Sequence, residues 1–361
     1  MKKKILLLIP SLQGGGAERF MATLAKNLDR SKFIIYLAIV DCQKSVYLSE
    51  IPSDVCIIDL KCKMISRAIP RIINLAWKLR PDILFVTLVH LNLAIAIVRI
   101  FLPNKMRVIA RETVVLSSLY SNTPLLLPLK IIYKLSYRML DRVISQSKDM
   151  ETDLIKNYGL PKSKSIVINN PVNVDSIVKL ASLPILLNSD VYDEETINLV
   201  ASGRLEYQKG FDILIQALSL CCNKNYFLTV LGDGKCKSDL LALAEKYGVS
   251  NKVNFIGFID NPYPYYAKAD IFILCSRFEG FPNVLLEVLA CGTPIIATPA
   301  PGGVLEILKD IDGCKVIDSM TPNDLAMAIL DFPLKLRISP KSVDNFSVDK
   351  IIKSYENIFL Q

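Results

Sequence analysis

The chain has few of the residues that build metal centres and disulfide frameworks. It contains one histidine, His90, among 361 residues, and its nine cysteines form no C-x-x-C pair. These counts argue against a histidine-based metal site, a zinc site and a disulfide framework. Scattered cysteines, several of them in apolar runs, are typical of reduced, buried thiols in a cytosolic protein. We therefore predict no metal and no cofactor.

Long hydrophobic runs are also missing. A membrane-spanning helix needs roughly 20 apolar residues, whereas the apolar stretch 91–102 is interrupted by Arg99 and closed by Pro103. The basic start, Met1–Lys4, precedes an apolar run shorter than the roughly 7–15 residues of a signal peptide. We expect this run to be a first buried strand.

Charge is present but unevenly distributed. Residues 1–175 hold 26 Lys and Arg against 13 Asp and Glu, a net charge of +13, and the remainder carries −5. Mean hydropathy is high, at +0.35. A basic amino-terminal half attracts anionic lipid, a diphosphate-linked substrate or nucleic acid. Nucleic acid is not predicted as a partner, because no recognition motif or basic tail occurs.

Short apolar runs alternate with segments of helical spacing along the whole chain, which predicts α/β architecture with parallel, doubly wound sheets. Turn-prone residues around Asn170-Pro171 mark a domain boundary, and residues 348–360 have the pattern of an amphipathic helix. The predicted strands are 4–9, 33–40, 55–58, 83–89, 107–110, 142–145, 197–201, 226–231, 253–256, 271–275 and 294–298.

Polar residues follow several predicted strands in the first half. The first strand runs into a triple-glycine loop, Gly14–Gly16, which lets the backbone approach a ligand closely. His90 follows the strand 83–89, and Arg111-Glu112 follows the strand 107–110. Because the carboxyl ends of parallel strands form one edge, we expect these residues beside the same cleft as the glycine loop. A satisfied, partly buried histidine is an equal alternative for His90.

The second half places cations and carboxylates at strand ends. Gly203, Arg204 and Lys209 follow the strand 197–201 and suit a diphosphate. Glu279 lies in the turn after the strand 271–275, and Glu287 lies on the helix that follows it. Gly257 ends another strand, where a base can stack or touch the backbone.

Two stretches are candidates for contact with an anionic membrane surface. One is 69–79, with Trp77 among cations. The other is 125–140, where Lys130, Lys134 and Arg138 fall on one helical face beside Tyr133 and Tyr137. A basic, aromatic amphipathic helix suits a membrane interface. An ordinary helix that covers the sheet is an equal alternative for the second stretch.

Six segments, taken in order, resemble those of retaining glycosyltransferases of family 4, especially the bacterial enzymes of surface-polysaccharide and lipid-linked glycan synthesis such as N-acetylgalactosaminyl transferases. The segments are the Gly-Gly-Ala-Glu-Arg loop at 15–19, Asn170-Pro171-Val172, Gly203-Arg204 to Lys209-Gly210, Gly232-Asp233-Gly234, Glu279 to Glu287, and Gly302-Gly303 to Glu306. The resemblance implies the GT-B fold, with two Rossmann-like doubly wound parallel-sheet domains that face each other across a cleft.

The implied domains are an acceptor-binding domain at 1–172 and a nucleotide-sugar-binding domain at 173–344, with a last helix, about 345–361, packing back on the first. The implied partners are a nucleotide sugar as co-substrate and an undecaprenyl-diphosphate-linked glycan acceptor. The implied location is the cytoplasm, with peripheral association at the inner face of the cytoplasmic membrane. The basic amino-terminal domain would contact that surface.

The resemblance also implies roles for individual residues. Arg204 and Lys209 would hold the donor diphosphate, Glu279 would contact the donor sugar, and these three are the catalytic candidates. The other donor-binding candidates are Gly15, Gly16, Gly203, Gly257, Asn283, Val284, Leu285 and Glu287, the last on the ribose. The acceptor-side candidates are His90, Arg111 and Glu112. Relatives carry a histidine where Arg111-Glu112-Thr113 stands here, so the contribution of the first domain to catalysis is open.

The predicted activity is transfer of a GalNAc, GlcNAc, Gal or Glc type sugar, with UDP as the favoured nucleotide. A GDP-mannose-dependent mannosyltransferase of the same fold is the alternative. A non-catalytic binder of glycan or nucleotide sugar is the alternative from another class, and a Rossmann oxidoreductase lacks its glycine spacing. A metal-dependent transferase would need an Asp-x-Asp motif at a strand end, and Asp310-Ile311-Asp312 lies in a polar loop.

Overall fold

The computed structural model describes residues 2–43, 45–120, 127–185, 196–221, 225–334 and 336–361, without the side chains of residues 127 and 128. The chain forms two compact units. Unit 1 comprises Met1–Pro171 with Val348–Gln361, and unit 2 comprises Val172–Ser347.

The described part of unit 1 contains a seven-stranded parallel sheet with the order β3-β2-β1-β4-β5-β6-β7. The strands are β1 Lys3–Ile9, β2 Phe33–Ile39, β3 Cys56–Asp59, β4 Ile83–Thr87, β5 Arg107–Arg111, β6 Arg142–Ser145 and β7 Ser165–Val167. The helices are α1 Gly16–Asn27, α2 Ile65–Leu79, α3 Val89–Ile97, α4 Leu116–Leu119, α5 Leu127–Met139, α6 Lys148–Tyr158 and, from the end of the chain, α14 Val348–Leu360.

The described part of unit 2 contains a six-stranded parallel sheet with the order β10-β9-β8-β11-β12-β13. The strands are β8 Ile197–Ser202, β9 Tyr226–Leu231, β10 Val253–Gly257, β11 Ile271–Leu274, β12 Ile295–Ala297 and β13 Cys314–Val316. The helices are α7 Val174–Ala181, α8 Phe211–Leu220, α9 Lys237–Lys246, α10 Tyr263–Lys268, α11 Asn283–Ala290, α12 Val304–Leu308 and α13 Pro322–Leu330.

Both sheets are buried on both faces, as their continuous apolar runs predict. Residues 5–9 of β1 alternate between two separate hydrophobic clusters, one on each face of the sheet. Strands of parallel sheets read as apolar runs because helices cover both faces. The predicted doubly wound α/β class is confirmed in both units.

The last helix, α14, completes the core of unit 1. Tyr355 and Phe359 are fully buried and pack with Phe20 of α1 and Phe85 of β4. Lys3 donates to the carbonyl of Phe359, so a cation lies at the carboxyl end of the helix, where the helix dipole favours it.

One predicted strand end in unit 1 is wrong by more than one residue. The strand predicted at 83–89 ends at Thr87, because Leu88 adopts a left-handed φ of 80° and turns the chain into α3. His90 is therefore the second residue of that helix, and it is exposed to solvent.

The predicted basic, aromatic face of the helix at 125–140 is also wrong. Residues 125 and 126 lie outside the described residues. On α5, Tyr133 and Tyr137 are buried against the sheet, and Lys130, Lys134 and Arg138 are exposed. The apolar residues that share the outer face with these cations are aliphatic: Ile131, Ile132, Leu135 and Met139.

Candidate active site

The candidate catalytic residues lie where the strand order of unit 2 reverses. β8 and β11 are neighbours, but the chain runs from β8 outward to β9 and later returns to β11 on the other side. In open α/β sheets, ligands bind beyond the carboxyl ends of the strands at such a switch point. Arg204 and Lys209 follow β8, and Glu279 follows β11. The two predicted segments thus converge on one place.

Lys209 and Glu279 are in direct contact. The Nζ of Lys209 donates to Oε1 of Glu279 at 2.6 Å, and Ser276 Oγ donates to the same oxygen at 2.6 Å. The side chains are 17% and 8% exposed. Lys209 retains two further donors, because an ammonium group carries three. This pair is a shielded cation beside a carboxylate that is already oriented by two hydrogen bonds.

Arg204 is held much more loosely. Its side chain is 72% exposed, and its ion pair with Glu206 spans 3.6 Å. Exposed pairs of this kind contribute at most about 1 kcal/mol. The guanidinium is therefore available to a ligand at the end of β8.

Glu287 lies on the inward side of α11 and is buried. The buried hydroxyl of Tyr266 makes a hydrogen bond with Ser202, the last residue of β8. Burial raises the pKa of Tyr266, and the neighbouring charge of Glu287 raises it further. Tyr266 thus connects the end of β8 with the helix that carries Glu287.

The start of α11 presents backbone groups to the same region. Asn283 and Val284 are half-buried in its first turn. Leu285 is fully buried, and its N–H donates to the carbonyl of Pro282 at 3.0 Å. Helix starts of this kind favour anions.

Two glycines allow the loops of the site to pack closely. A Cβ on Gly232 would come within 2.0 Å of the carbonyl oxygen of Gly203, and a Cβ on Gly302 would come within 2.4 Å of that of Glu279. Both glycines have positive φ, 131° and 123°. Their close contacts fix the backbone on which Arg204 and Glu279 stand. Gly257, with φ of 94°, ends β10 and accepts a hydrogen bond from the N–H of Gly232.

The candidate residues of unit 1 lie partly at its surface and partly in its core. Gly15 and Gly16 lie exposed at the start of α1. Arg111 is fully buried, with its guanidinium 3.8 Å from the centre of the Phe20 ring. Glu112 is buried too, and its Oε1 accepts from Asn92 and Tyr137. The structure therefore does not gather His90, Arg111 and Glu112 into one exposed cluster.

Three contacting residues escaped the sequence analysis. Ser276 orients Glu279, and Arg277 forms a bidentate pair with Asp212 at 2.8 and 2.6 Å. Ser276 stands three residues before Glu279, which is a usable signal for a turn contact. The pairing of Arg277 with Asp212 has no signal in the sequence, because it joins residues that are far apart along the chain.

Among the described residues, no group of three or more His, Cys, Asp or Glu is arranged to hold a metal ion. In the part of the chain that the structure describes, no helix has the length and apolarity to cross a bilayer.

Comparison with known proteins shows the family of the chain. The profile of group 1 glycosyl transferases matches residues 188–341, and that of glycosyltransferase family 4 matches residues 14–176. N-acetylgalactosamine-N,N'-diacetylbacillosaminyl-diphospho-undecaprenol 4-alpha-N-acetylgalactosaminyltransferase of Campylobacter jejuni is 31% identical over 319 residues, which cover 85% of this chain and 84% of that protein.

Two further similarities extend over nearly the whole chain. The amylovoran biosynthesis glycosyltransferase AmsD of Erwinia amylovora is 25% identical over 331 residues, 91% of this chain and 89% of that protein. The crystal structure of Anabaena HepE in complex with UDP and glucose has a TM-score of 0.78 at 20% identity, covering 99% of each chain. The fold is that of GT-B enzymes, and the chain belongs to glycosyltransferase family 4.

Proposed function

We propose that this enzyme moves a sugar from UDP to a hydroxyl of a lipid-linked oligosaccharide, with retention of anomeric configuration. The observation that carries the proposal is the convergence of Arg204 with the Lys209–Glu279 pair beyond the ends of β8 and β11. Two cations and a carboxylate at a switch point suit a nucleoside diphosphate that carries a sugar.

In this proposal the cations bind the diphosphate. The exposed guanidinium of Arg204 can form two parallel hydrogen bonds with phosphate oxygens, and Lys209 supplies its two remaining N–H groups. Charge grows on the diphosphate as the sugar departs, and cations that are already in place stabilise it without reorganisation. This role needs no metal ion, so we propose metal-independent transfer.

The carboxylates bind hydroxyl groups. Glu287, on the inward side of α11, accepts from the ribose hydroxyls. Glu279 has one oxygen held by Lys209 and Ser276, which leaves its second oxygen for a hydroxyl of the donor sugar. The acceptor hydroxyl attacks on the face from which the diphosphate departs and passes its proton to a departing phosphate oxygen. Gly15, Gly16, Gly203, Gly257, Asn283, Val284 and Leu285 contribute backbone contacts to the donor.

The nucleotide and the acceptor rest on the relatives. The Campylobacter protein is named for an undecaprenol diphosphate acceptor, and HepE was crystallised with UDP and glucose. GDP-mannose is the alternative donor. For the acceptor side we retain His90, Arg111 and Glu112 as candidates; exposed His90 alone of these can touch an acceptor without movement of buried groups.

A lipid-linked acceptor places the enzyme at the inner face of the cytoplasmic membrane. The outer face of α5 supports this location, because four exposed aliphatic side chains lie beside three cations. Trp77, which is 51% exposed, donates to the carbonyl of Phe101, which is 58% exposed, so a second apolar surface lies at the end of α2. Apolar groups flanked by cations suit anionic lipid.

A panel of UDP- and GDP-sugars, assayed with lipid-linked acceptors extracted from membranes, tests the proposal. We expect transfer from one UDP-sugar, with the anomeric configuration kept in the product. Transfer from GDP-mannose alone would establish the alternative donor. Binding of a nucleotide sugar without transfer or hydrolysis, across the whole panel, would establish a non-catalytic binder and contradict the proposal.

A further inference from the structure

Arg277 stands beside the candidate site, yet its cationic group is directed at the protein. Nη1 donates to the carbonyl of Tyr207 at 2.7 Å and to Asp212 at 2.8 Å, and Nη2 donates to Asp212 at 2.6 Å. The guanidinium also lies 4.0 Å from the centre of the Tyr207 ring. Its side chain is 19% exposed, against 72% for Arg204.

The groups that Arg277 contacts belong to the segment that carries Lys209. Tyr207 and Lys209 form a single helical turn after β8, and Asp212 lies in the first turn of α8. Arg277 therefore contacts this segment before Lys209, at Tyr207, and after it, at Asp212. Lys209 and the loop after β11 are also tied through the backbone, since the N–H of Arg277 donates to the carbonyl of Gln208 at 2.7 Å.

Two further hydrogen bonds join the same segments. The side chain of Gln208 donates to the carbonyl of Phe278 at 2.9 Å, and the thiol of Cys275 donates to the carbonyl of Lys209 at 3.1 Å. The segment 207–212 and the segment 275–279 thus behave as one unit. Lys209 comes from the first segment and Glu279 from the second.

The ion pair between Arg277 and Asp212 favours the charged form of Asp212. Partial burial acts to raise the pKa of Asp212, but the hydrogen bonds and charge of Arg277 outweigh it and hold that pKa below its ordinary value. A bidentate arginine–carboxylate pair fixes orientation as well as distance. Lysine has no planar fork and cannot reproduce this geometry.

We propose that Arg277 is a positioning residue, which through Asp212 and Tyr207 holds Lys209 in register with Glu279 and so places the ammonium group for the donor diphosphate. The proposal rests on the proposed function, because it takes Lys209 as a diphosphate ligand. Arg277 itself makes no contact with the donor.

The test is a double-mutant cycle on UDP affinity, measured by calorimetry on the full chain, with kcat measured in parallel. Arg277→Ala should weaken UDP binding by about tenfold, the order expected when a charged hydrogen bond is lost. In a Lys209→Ala background the same substitution should change UDP affinity by less than about twofold, since coupled residues are not additive. Asp212→Asn should reproduce Arg277→Ala, and Arg277→Lys should restore only part of the affinity.

Thermal unfolding of each variant separates positioning from folding. A purely structural Arg277 would lower the melting temperature and weaken UDP binding by the same factor whether Lys209 is present or absent, which would overturn the proposal. Asp212→Asn with unchanged UDP affinity would overturn it as well. A Lys209→Ala variant that binds UDP as tightly as the wild type would contradict the proposed function itself, and Arg277 would then have no ligand to position.

Discussion

At the scale of single residues, burial decides what each charged group can do. Arg204 and Arg277 carry the same guanidinium, but one is 72% exposed and the other 19%. The first is open to a ligand, and the second is held by protein acceptors. Glu112 is buried more completely than either arginine. Its carboxylate oxygen Oε2 has no hydrogen-bond partner among the described residues.

Glu112 should make the stability of unit 1 depend on pH. Burial raises its pKa above the ordinary value of 4.5, in spite of hydrogen bonds from Asn92 and Tyr137 that act to lower it. The folded protein therefore keeps this proton to higher pH than the unfolded chain does. The resulting stability is fully present below pH 4.5 and is lost as the pH rises through the folded pKa.

Glu112→Gln should remove this loss of stability at rising pH, because the neutral amide of glutamine does not titrate. The single tryptophan, Trp77, lies in unit 1, so its fluorescence in urea reports the unfolding of that unit. We expect the wild type and the exposed control Glu50→Gln to lose stability as the pH rises above 4.5, with a flatter profile for Glu112→Gln. Parallel pH profiles of stability for all three proteins would refute the assignment of this pH dependence to Glu112.

At the scale of elements, α5 has the inverse of the arrangement that its sequence predicts. Its tyrosines are buried against the sheet, with Tyr137 bonded to Glu112, and its aliphatic residues face outward beside the cations. Contact with lipid would remove the apolar area of this outer face from water, which is favourable.

Leu135→Glu on this face should weaken binding to vesicles of anionic and zwitterionic lipid by about tenfold or more, since burial of a leucine is worth roughly 1.5–3 kcal/mol. The matched control is Leu241→Glu, at a leucine of unit 2 that is 49% exposed against 58% for Leu135. Cosedimentation measures both, with UDP binding unchanged in each. Equal loss of binding in the two variants, or none in either, would exclude α5 as the contact.

The sequence predicted the strands well and the side-chain pairings poorly, for physical reasons. β9 was predicted to the residue, because residues 226–231 are an apolar run bounded by turn-forming residues. β13 was missed, since Cys314 and Val316 are only partly buried, Lys315 is exposed, and the three residues form no apolar run. The orientation of Tyr133 and Tyr137 could not be predicted, because large apolar residues lie on both faces of α5 and either face could pack on the sheet. The pairing of Arg277 with Asp212 depends on how two loops meet, which one sequence does not encode locally.

At the scale of the whole molecule, the family and the order of its motifs were predictable, and the specificity was not. The glycines, cations and carboxylates recur in a fixed order along the chain, and the structure of unit 2 brings Arg204, Lys209 and Glu279 to one switch point. In the proposed function, shape and backbone groups would distinguish one sugar or base from another. Those features carry no signature in residue type.

The central claim is that two cations, not a metal ion, meet the charge of the departing diphosphate. The most direct test measures transfer from the UDP-sugar donor in EDTA by the wild type, Arg204→Ala, Lys209→Ala, the double variant and the exposed control Lys246→Ala. We predict full wild-type and control activity in EDTA, and a loss of about 10² or more in each site variant, as for other preorganised donors to a developing anion. Loss of wild-type activity in EDTA, or a double variant that turns over like the control, would contradict the account.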